Sequence, residues 1–375
     1  MVMKAYVDRK GTPEALQELF ETALREGPVG CLLVLSCDEN AFTPEVLDPI
    51  LKAVPVPLFG GTFPAIISEH QVLTRGSIVV SMERSAEIYH VSNISDPEVD
   101  IEAVLDSQVG EEECKTLLVF MDGLASRIKV FIDSLYTIFG LEINYVGAGA
   151  GSASLIRKAC LITNKGLVKD SAVLATLDME SGVGVRHGWT SISGPYKVTE
   201  SEGNAIISLD WHPALEVYRA VVEAYCGCSF DDSPFLNIAK GYPFGIEKLG
   251  AEKVVRDPVG LDKDGNMVCV GECPAGEYVD ILHGRPSGLV KASGDAMRQA
   301  RADLPDSVTP GLRLFLDCFS RLLFLDDAYA AELDAVTSDD VINIGVCSIG
   351  EIANSGKDYL EFYNKTSVIA LLEGE

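Results

Sequence analysis

The chain repeats one arrangement of hydrophobic positions three times. Each copy begins with a continuous hydrophobic run of strand length, at Cys31–Ser36, Thr116–Met121 and Leu312–Asp317. A segment with hydrophobic residues at helical spacing follows each run, at Pro44–Ala53, Ile128–Phe139 and Leu322–Leu333. Short hydrophobic runs are typical of buried strands, whereas helices place hydrophobic residues three to four positions apart. The pattern therefore predicts a strand and then a helix in each copy.

A second strand that leads into a glycine-containing turn follows each helix, at Val56–Thr62, Ile143–Gly151 and Ile342–Glu351. Further short strands close the copies, at Gly76–Met82, then Ala159–Thr163 and Ser171–Thr176, then Tyr359–Tyr363 and Ser367–Leu372. The recurrence of strand, helix, strand and hairpin predicts an α/β (mixed α+β) fold, in which repeated units form mixed sheets.

A region with a different pattern separates the second and third copies. It contains a helix-like segment at Ser208–Ala224 and a turn-rich segment at Cys226–Pro234. Strand-like runs around 252–255, 267–270 and 277–282 and a helix over 288–302 come next. Turn-rich segments are where domains join. We therefore predict an amino-terminal domain of residues 1–225 and a carboxy-terminal domain of residues 226–375.

Charge and hydropathy narrow the choice of partners. The 375 residues include 30 Lys and Arg against 56 Asp and Glu, a formal net charge of −26. This excess repels nucleic-acid phosphates and anionic lipid surfaces, so neither is an expected partner. No hydrophobic run reaches the ~18–20 residues of a membrane span, and Met1–Asp8 does not begin a signal peptide. We expect a cytoplasmic protein.

The ten cysteines are scattered, and most lie in strand-like hydrophobic runs. This placement favours buried free thiols over a disulfide framework. Two pairs, Cys226 with Cys228 and Cys269 with Cys273, lack the two-residue spacing of a zinc knuckle, so no metal site is expected. Cys318 could serve an enzyme as a nucleophile, but no base lies near it in the sequence, which favours buried packing.

Nucleotide and haem sites receive little support. The segment Gly147–Ser152 follows a predicted strand, but Ser152 replaces the third glycine of a dinucleotide-binding turn and a strand, not a helix, comes next. The chain contains no P-loop motif. Its five histidines, His70, His90, His187, His212 and His283, show no metal-binding spacing. One axial histidine is enough to hold haem, so a haem-binding sensor stays an alternative.

Several motifs occur together in one order along nearly the whole chain. They are Pro57–Thr62, Val146–Gly151, Pro213–Tyr218, Tyr242–Gly245, Cys318–Arg321, Ile349–Ile352 and Asn364–Thr366. Each is weak alone, but the ordered set resembles the FIST family. One departure is the alanine-rich turn Gly147–Gly151, which replaces the family's usual Gly-Gly-Ser/Thr and argues against a phosphate-binding role there.

The resemblance implies a signal-input protein that binds small ligands such as amino acids and performs no catalysis. Family members are often fused to kinase, cyclase or chemoreceptor outputs, so a signalling protein of that kind is an expected partner. No cofactor is expected, and the oligomeric state is not predicted. A haem-binding gas sensor and an enzyme acting on a small metabolite are the alternatives.

The expected ligand site lies at the strand ends of the third copy, where α/β sheets place ligands. The candidate residues are Arg321, Ser348, Gly350, Glu351, Asn364 and Thr366, and the family motifs add Gly60, Gly61, Thr62 and Gly149. Arg321 would hold a carboxylate and Glu351 an ammonium group, with Phe319 and Tyr363 as an apolar wall. The alternative is an Arg321–Glu351 ion pair that only joins two strands.

Overall fold

Within the described residues, the strands form three six-stranded sheets and one seven-stranded sheet. The computed structural model describes residues 3–110, 114–248, 252–354 and 360–374. The six-stranded sheets arise from three units that share one order of elements, and the seven-stranded sheet is inserted into the third unit. The prediction of a mixed α+β fold is confirmed.

The first unit contains β1 (Lys4–Asp8), α1 (Pro13–Arg25), β2 (Cys31–Cys37), α2 (Pro44–Ala53), β3 (Leu58–Phe63), β4 (Ala65–Ser68), β5 (Gln71–Leu73) and β6 (Ser77–Met82). The second contains β7 (Glu87–Ser92), α3 (Ile101–Asp106), β8 (Thr116–Asp122), α4 (Ile128–Phe139), β9 (Asn144–Ala150), β10 (Leu161–Thr163), β11 (Gly166–Val168) and β12 (Ser171–Leu177).

The third unit begins with β13 (Ser181–Arg186) and continues after an insertion. The insertion comprises β14 (Thr190–Glu202), β15 (Ala205–Leu209), β16 (His212–Pro213), α5 (Ala214–Cys226), α6 (Phe235–Ala239), β17 (Phe244–Ile246), β18 (Val254–Leu261), β19 (Met267–Val270) and β20 (Tyr278–His283). The unit then resumes with α7 (Pro286–Asp303), β21 (Pro310–Cys318), α8 (Phe319–Leu325), α9 (Tyr329–Val336), β22 (Ile342–Ser348), β23 (Glu351–Asn354), β24 (Leu360–Tyr363) and β25 (Ser367–Glu373).

The three units build their sheets with the same topology. In each, two parallel strands joined by helix lie side by side: β2 with β3, β8 with β9, and β21 with β22. The last strand of each unit (β6, β12 or β25) pairs antiparallel with the first of these two parallel strands. The opening strand of the unit (β1, β7 or β13) then pairs with the other side of that last strand. The same strand order therefore occurs in the sheets of all three units.

Each unit gives its hairpin to the sheet of another unit. The hairpin β4–β5 extends the third sheet beside β22, β10–β11 extends the first beside β3, and β23–β24 extends the second beside β9. The exchange is cyclic, so it links the three units into a closed ring. None of the three six-stranded sheets is made from one unit alone.

The exchange places one large core between the sheets and smaller ones outside them. Alternate residues of β2 point to opposite faces of its sheet. Leu33 and Leu35 lie in the central core, whereas Leu32 and Val34 lie in the outer core beneath the helices α1 and α2. The central core joins Phe59 and Phe120, whose ring centroids lie 6.3 Å apart. Such alternation is what a sheet buried on both faces produces.

The inserted sheet closes on itself, because β14 pairs with both β20 and β15. Helix α5 packs its buried Tyr218 against the inserted sheet's core, where the Tyr218 hydroxyl donates to the Tyr242 carbonyl oxygen (2.7 Å). The predicted helix at Ser208–Ala224 therefore starts later than expected, since its first residues lie in β15 and β16. In the described residues, no helix combines the length and hydrophobicity that crossing a membrane requires.

Other sequence expectations need correction. The single helix predicted over Leu322–Leu333 is split into α8 and α9, because Asp326 adopts a left-handed φ of 48° between them. Cys226 and Cys228 form a disulfide rather than two free thiols. Tyr359 lies outside the described residues, so β24 begins at Leu360.

The domain boundary predicted between residues 225 and 226 falls in the last turn of α5, inside the inserted region. Strands from its two sides pair with each other, as β9 does with β23 and β4 with β22. The division into residues 1–225 and 226–375 stays a prediction.

One glycine in the second parallel strand of each unit has no room for a side chain. These glycines are Gly60, Gly147 and Gly345, each paired with the first parallel strand of its own unit. An added Cβ would lie 1.9, 2.2 and 2.1 Å, respectively, from the carbonyl oxygen of the paired residue. Gly60, Gly147 and Gly345 therefore occupy equivalent positions in the middle of a strand. The glycines of the predicted turns, Gly60, Gly149 and Gly350, do not occupy equivalent positions.

Replacing Gly345 with alanine should therefore destabilise the fold. We expect Gly345→Ala to lower the free energy of unfolding by about 1–3 kcal/mol, the usual cost of overpacking a core. Gly260→Ala is the control, because nothing lies within 4 Å of a Cβ there. Urea unfolding should show the control within about 0.5 kcal/mol of wild type. Equal effects of the two substitutions would contradict the close approach.

Candidate functional site

A cavity of about 360 Å³ lies where the third unit meets the inserted region. The ends of the parallel strands β21 and β22 form part of its wall, through Cys318 and Ser348, which are register partners. The connections that follow these strands also line it. The carboxyl ends of parallel strands are where such sheets bind ligands. The predicted position of the site therefore coincides with a real cavity.

The cavity wall is mainly hydrophobic, with a few polar side chains. The hydrophobic lining residues are Ala153, Leu155, Leu236, Val259, Val270, Phe319, Leu323 and Ile349. The remaining lining residues are Asn237, Lys240, Asp257, Cys318, Ser320, Ser348, Gly350 and Asn364. This combination of an apolar wall and a few polar groups is typical of small-molecule sites, and the volume lies within their usual range.

Asn364 is the polar residue of this cavity that stands out. Its side chain is 1% exposed, yet neither its Oδ1 nor its Nδ2 has a hydrogen-bond partner within the described part of the chain. Leaving a buried amide unpaired costs about 1–3 kcal/mol. Asn364 also lines the cavity, so this unpaired amide belongs to a residue of the cavity wall.

A buried ion pair supports the same wall. The Lys365 ammonium lies 3.2 Å from the Asp257 carboxylate and donates to the Lys240 carbonyl oxygen (2.9 Å). The ammonium also lies 5.1 Å from the centre of the Trp189 ring. Burial raises the pKa of Asp257, and the Lys365 charge opposes that rise. Lys365 therefore ties the Asn364 loop to β18 and to the end of α6.

Arg321 does not line the cavity, contrary to the sequence prediction. Its side chain is fully buried and forms ion pairs with Asp317 (3.0 Å) and Glu332. The guanidinium also donates to the carbonyl oxygens of His187 (2.6 Å) and Leu289 (3.2 Å). All of its donor directions point into the protein, so no fork remains for a ligand carboxylate.

Glu351 is also turned inward. It is fully buried, and the Ser348 hydroxyl donates to its carboxyl group (2.7 Å). Burial raises the pKa of Glu351 well above the ordinary value, which favours the protonated acid. Glu351 is also not among the described residues that line the cavity, so its carboxyl group is not placed to pair with a ligand ammonium group there. The Arg321–Glu351 alternative is also wrong, because in the described residues the ion-pair partners of Arg321 are Asp317 and Glu332.

The other predicted site residues divide into two groups. Ser348, Gly350 and Asn364 line the cavity, and so do Phe319, predicted as a wall, and Cys318, predicted for the enzyme alternative. Thr366, Tyr363, Gly60, Gly61, Thr62 and Gly149 are not among the described residues that line it. Thr62 donates to the Cys160 carbonyl oxygen (3.4 Å), and Gly149 donates to that of Gly350 (2.8 Å), so both hold strand connections together.

Sequence reasoning missed the lining residues that come from other parts of the chain. Leu155 lies in the connection between β9 and β10, Asn237 and Lys240 lie in and after α6, and Asp257 and Val259 lie in β18. No short motif joins them to the third unit. A usable signal was the run Asp257-Pro-Val259, which together with the preceding Arg256 puts charged residues inside a largely hydrophobic strand.

Arg321 should act on stability rather than on binding. Removing its charge leaves Asp317 and Glu332 as buried carboxylates without a counter-ion, and burial already raises the pKa of Asp317. Urea unfolding of Arg321→Met should show a loss of about 3–5 kcal/mol. The triple replacement Asp317→Leu, Arg321→Met, Glu332→Leu should be less damaging, since it removes the whole charge cluster. A single variant as stable as wild type would disprove the structural role.

Comparison with known families agrees with this organisation. The family model described as the FIST N domain matches residues 31–212, and the model described as the FIST C domain matches residues 214–354. A search of curated proteins found no match. FIST domains are associated with sensory signal transduction. Because the two matches cover most of the chain, the protein belongs to the FIST family.

Proposed function

We propose that the protein is a sensory input module that binds a small ligand in the cavity beside Asn364. The observation that carries this proposal is the buried Asn364 amide, whose two polar atoms have no hydrogen-bond partner among the described residues although Asn364 lines the cavity. A folded protein retains such an unfavourable group where something else compensates for it. A bound molecule would do so.

Amino acids or related metabolites are the ligand class that we favour. The Asn364 Nδ2 can donate to a carboxylate or amide oxygen, while the Oδ1 can accept from an ammonium or amide N–H. Asn364 thus supplies both functions that the sequence had assigned to Arg321 and Glu351. The charged residues Lys240 and Asp257 also line the cavity, and its hydrophobic wall suits an aliphatic side chain.

We further propose that binding occurs without chemistry. The nucleophile candidate in the cavity is Cys318, and burial together with the nearby Glu351 raises its pKa far above the ordinary value. The thiol therefore stays protonated, whereas nucleophilic catalysis requires the thiolate. The Cys318 sulfur lies 3.2 Å from the Ser320 hydroxyl, which is not a base at neutral pH.

A route from the cavity to the outer helices supports a signalling role. Phe319 and Ser320 line the cavity, and Arg321 follows them directly on α8. Arg321 in turn contacts α7 through the Ser293 hydroxyl (3.0 Å) and α9 through Glu332. A movement of α8 on binding would therefore reach both helices. A partner protein of the kinase or chemoreceptor type could read that change.

The proposal predicts opposite effects for two buried asparagines. Asn364→Leu should leave the ligand-free protein as stable as before or more stable, because it removes an unpaired buried amide. Asn354→Leu is the matched control: the Asn354 Oδ1 accepts from the Tyr145 N–H (3.1 Å) and its Nδ2 donates to the Ile143 carbonyl oxygen (3.1 Å). That variant should lose about 1–3 kcal/mol.

A thermal-shift screen with the twenty amino acids and their amides measures ligand binding by the wild type, Asn364→Leu and Asn354→Leu. A ligand at 100 times its dissociation constant adds about 2.7 kcal/mol to the wild type. Asn364→Leu should lose this gain, and Asn354→Leu should keep it. A ligand that stabilises Asn364→Leu as well as wild type would refute the proposed site.

A further inference from the structure

A second cavity adjoins the first one. It also measures about 360 Å³, and the two share the lining residues Leu155, Val259 and Val270. Its other walls come from the segment after β8, the turn between β14 and β15, and the segment after β19, through Leu124, Asn204 and Glu272 among others. Three shared hydrophobic residues therefore form the partition between two spaces of similar size.

The partition comes from a connection that departs from the repeat. Phe63 is followed by a single residue before β4, and Ser348 by two residues before β23. In the second unit, the corresponding connection from β9 to β10 spans residues 151–160. The sheet topology does not require this length, since two units achieve the same pairing without it. The extra residues bring Leu155 between the two cavities.

The long connection is anchored on both sides of Leu155. The Ser152 hydroxyl donates to the Asp38 carboxylate (2.7 Å), and the Arg157 guanidinium pairs with Asp122 (2.9 Å). Between these anchors Leu155 holds a left-handed φ of 56° and remains 46% exposed. Residues other than glycine, asparagine and aspartate seldom adopt this conformation, and strain of this kind tends to occur at functional sites.

The second cavity carries an acidic group. Glu272 lines it, and the described ion pairs do not include its carboxylate. The nearby Arg256 donates to the backbone oxygen of Glu272 (2.8 Å), and the charges of Arg256 and Lys129 act on the Glu272 carboxyl group without forming an ion pair with it among the described residues. A carboxylate beside a hydrophobic partition favours a cationic ligand group, and the chain's net charge of −26 favours it further.

We propose that the two cavities form one elongated site for a linear aliphatic amine that carries an amide or carboxyl head. The head binds at Asn364, the aliphatic chain passes Leu155, Val259 and Val270, and the terminal ammonium lies toward Glu272. Leu155 thereby sets the length of ligand that the site accepts. This inference rests on the proposed function, because it uses Asn364 as the anchor of the head.

The test is a calorimetric titration with two matched ligand series. One series is the ω-aminoalkanamides of increasing chain length, and the other is the alkanamides that lack the terminal amine. In wild type, affinity should rise about fourfold for each added methylene, the gain expected from burying it. At the longer lengths the amine series should bind at least tenfold more tightly than the alkanamides, and Glu272→Gln should remove that preference.

Leu155→Trp should block the passage between the cavities. Short members of both series should bind it as they bind wild type, while the longest members should lose tenfold or more in affinity. Ile156→Trp is the matched control, because the neighbouring Ile156 is 68% exposed and is not among the described residues that line either cavity. In Ile156→Trp, ligand affinity should depend on ligand chain length as it does in wild type.

The outcomes separate this inference from the proposed function. If ligand affinity depended on ligand chain length in the same way for Leu155→Trp and Ile156→Trp, the elongated site would be overturned. The proposed function would still stand in that case if Asn364→Leu abolished binding of the short amides. Unchanged amide binding by Asn364→Leu would overturn both. If neither series bound at millimolar concentration, the ligand class would be wrong, and the amino-acid screen would decide the proposed function separately.

Discussion

The cyclic exchange of hairpins is the constraint on which the remaining structure depends. A two-stranded hairpin is at best marginally stable alone, and an open sheet edge invites unwanted pairing. Each unit pairs its hairpin with the sheet of another unit, which supports the hairpin and covers the edge of the second parallel strand there. The central core can then form only when all three units are present. The fold therefore depends on contacts between distant parts of the chain, including the pairing of β4 with β22.

The exchange also shapes the cavity. The hairpin of the third unit leaves its own sheet at Ile349 and Gly350, both of which line the cavity. This crossing is held in place from the second unit: the Ile349 N–H donates to the Gly149 carbonyl oxygen, and the Gly149 N–H donates to that of Gly350, both at 2.8 Å. The backbone beside Asn364 is thus rigid for a structural reason. The remaining cavity walls come from the places where the units differ, namely the insertion in the third unit and the long β9–β10 connection in the second.

The hydrophobic pattern predicted many of the elements, but it did not predict β1, α1 or the hairpin β4–β5, and it did not predict which strands pair. Runs such as Thr116–Met121 and helices such as Ile128–Phe139 follow directly from periodicity, and they lie where predicted. The pattern of a hairpin is the same whether it pairs with its own sheet or with another, so the exchange left no sequence signal. Of the site residues predicted at the strand ends of the third unit, Ser348, Gly350 and Asn364 line the cavity. The direction of a side chain after a strand end depends on the packing around it, which is why Arg321 and Glu351 were assigned to the wrong side.

The proposed function requires that the ligand contacts the Asn364 amide directly. Nuclear magnetic resonance of protein labelled with ¹⁵N-asparagine observes that group directly, and the spectrum of Asn364→Leu assigns its side-chain signal. When a stabilising amino acid or amide is added, the Asn364 side-chain NH₂ signal should shift, while that of the internally bonded Asn354 should stay in place. A ligand that stabilises the protein but leaves the Asn364 signal unmoved would contradict the account.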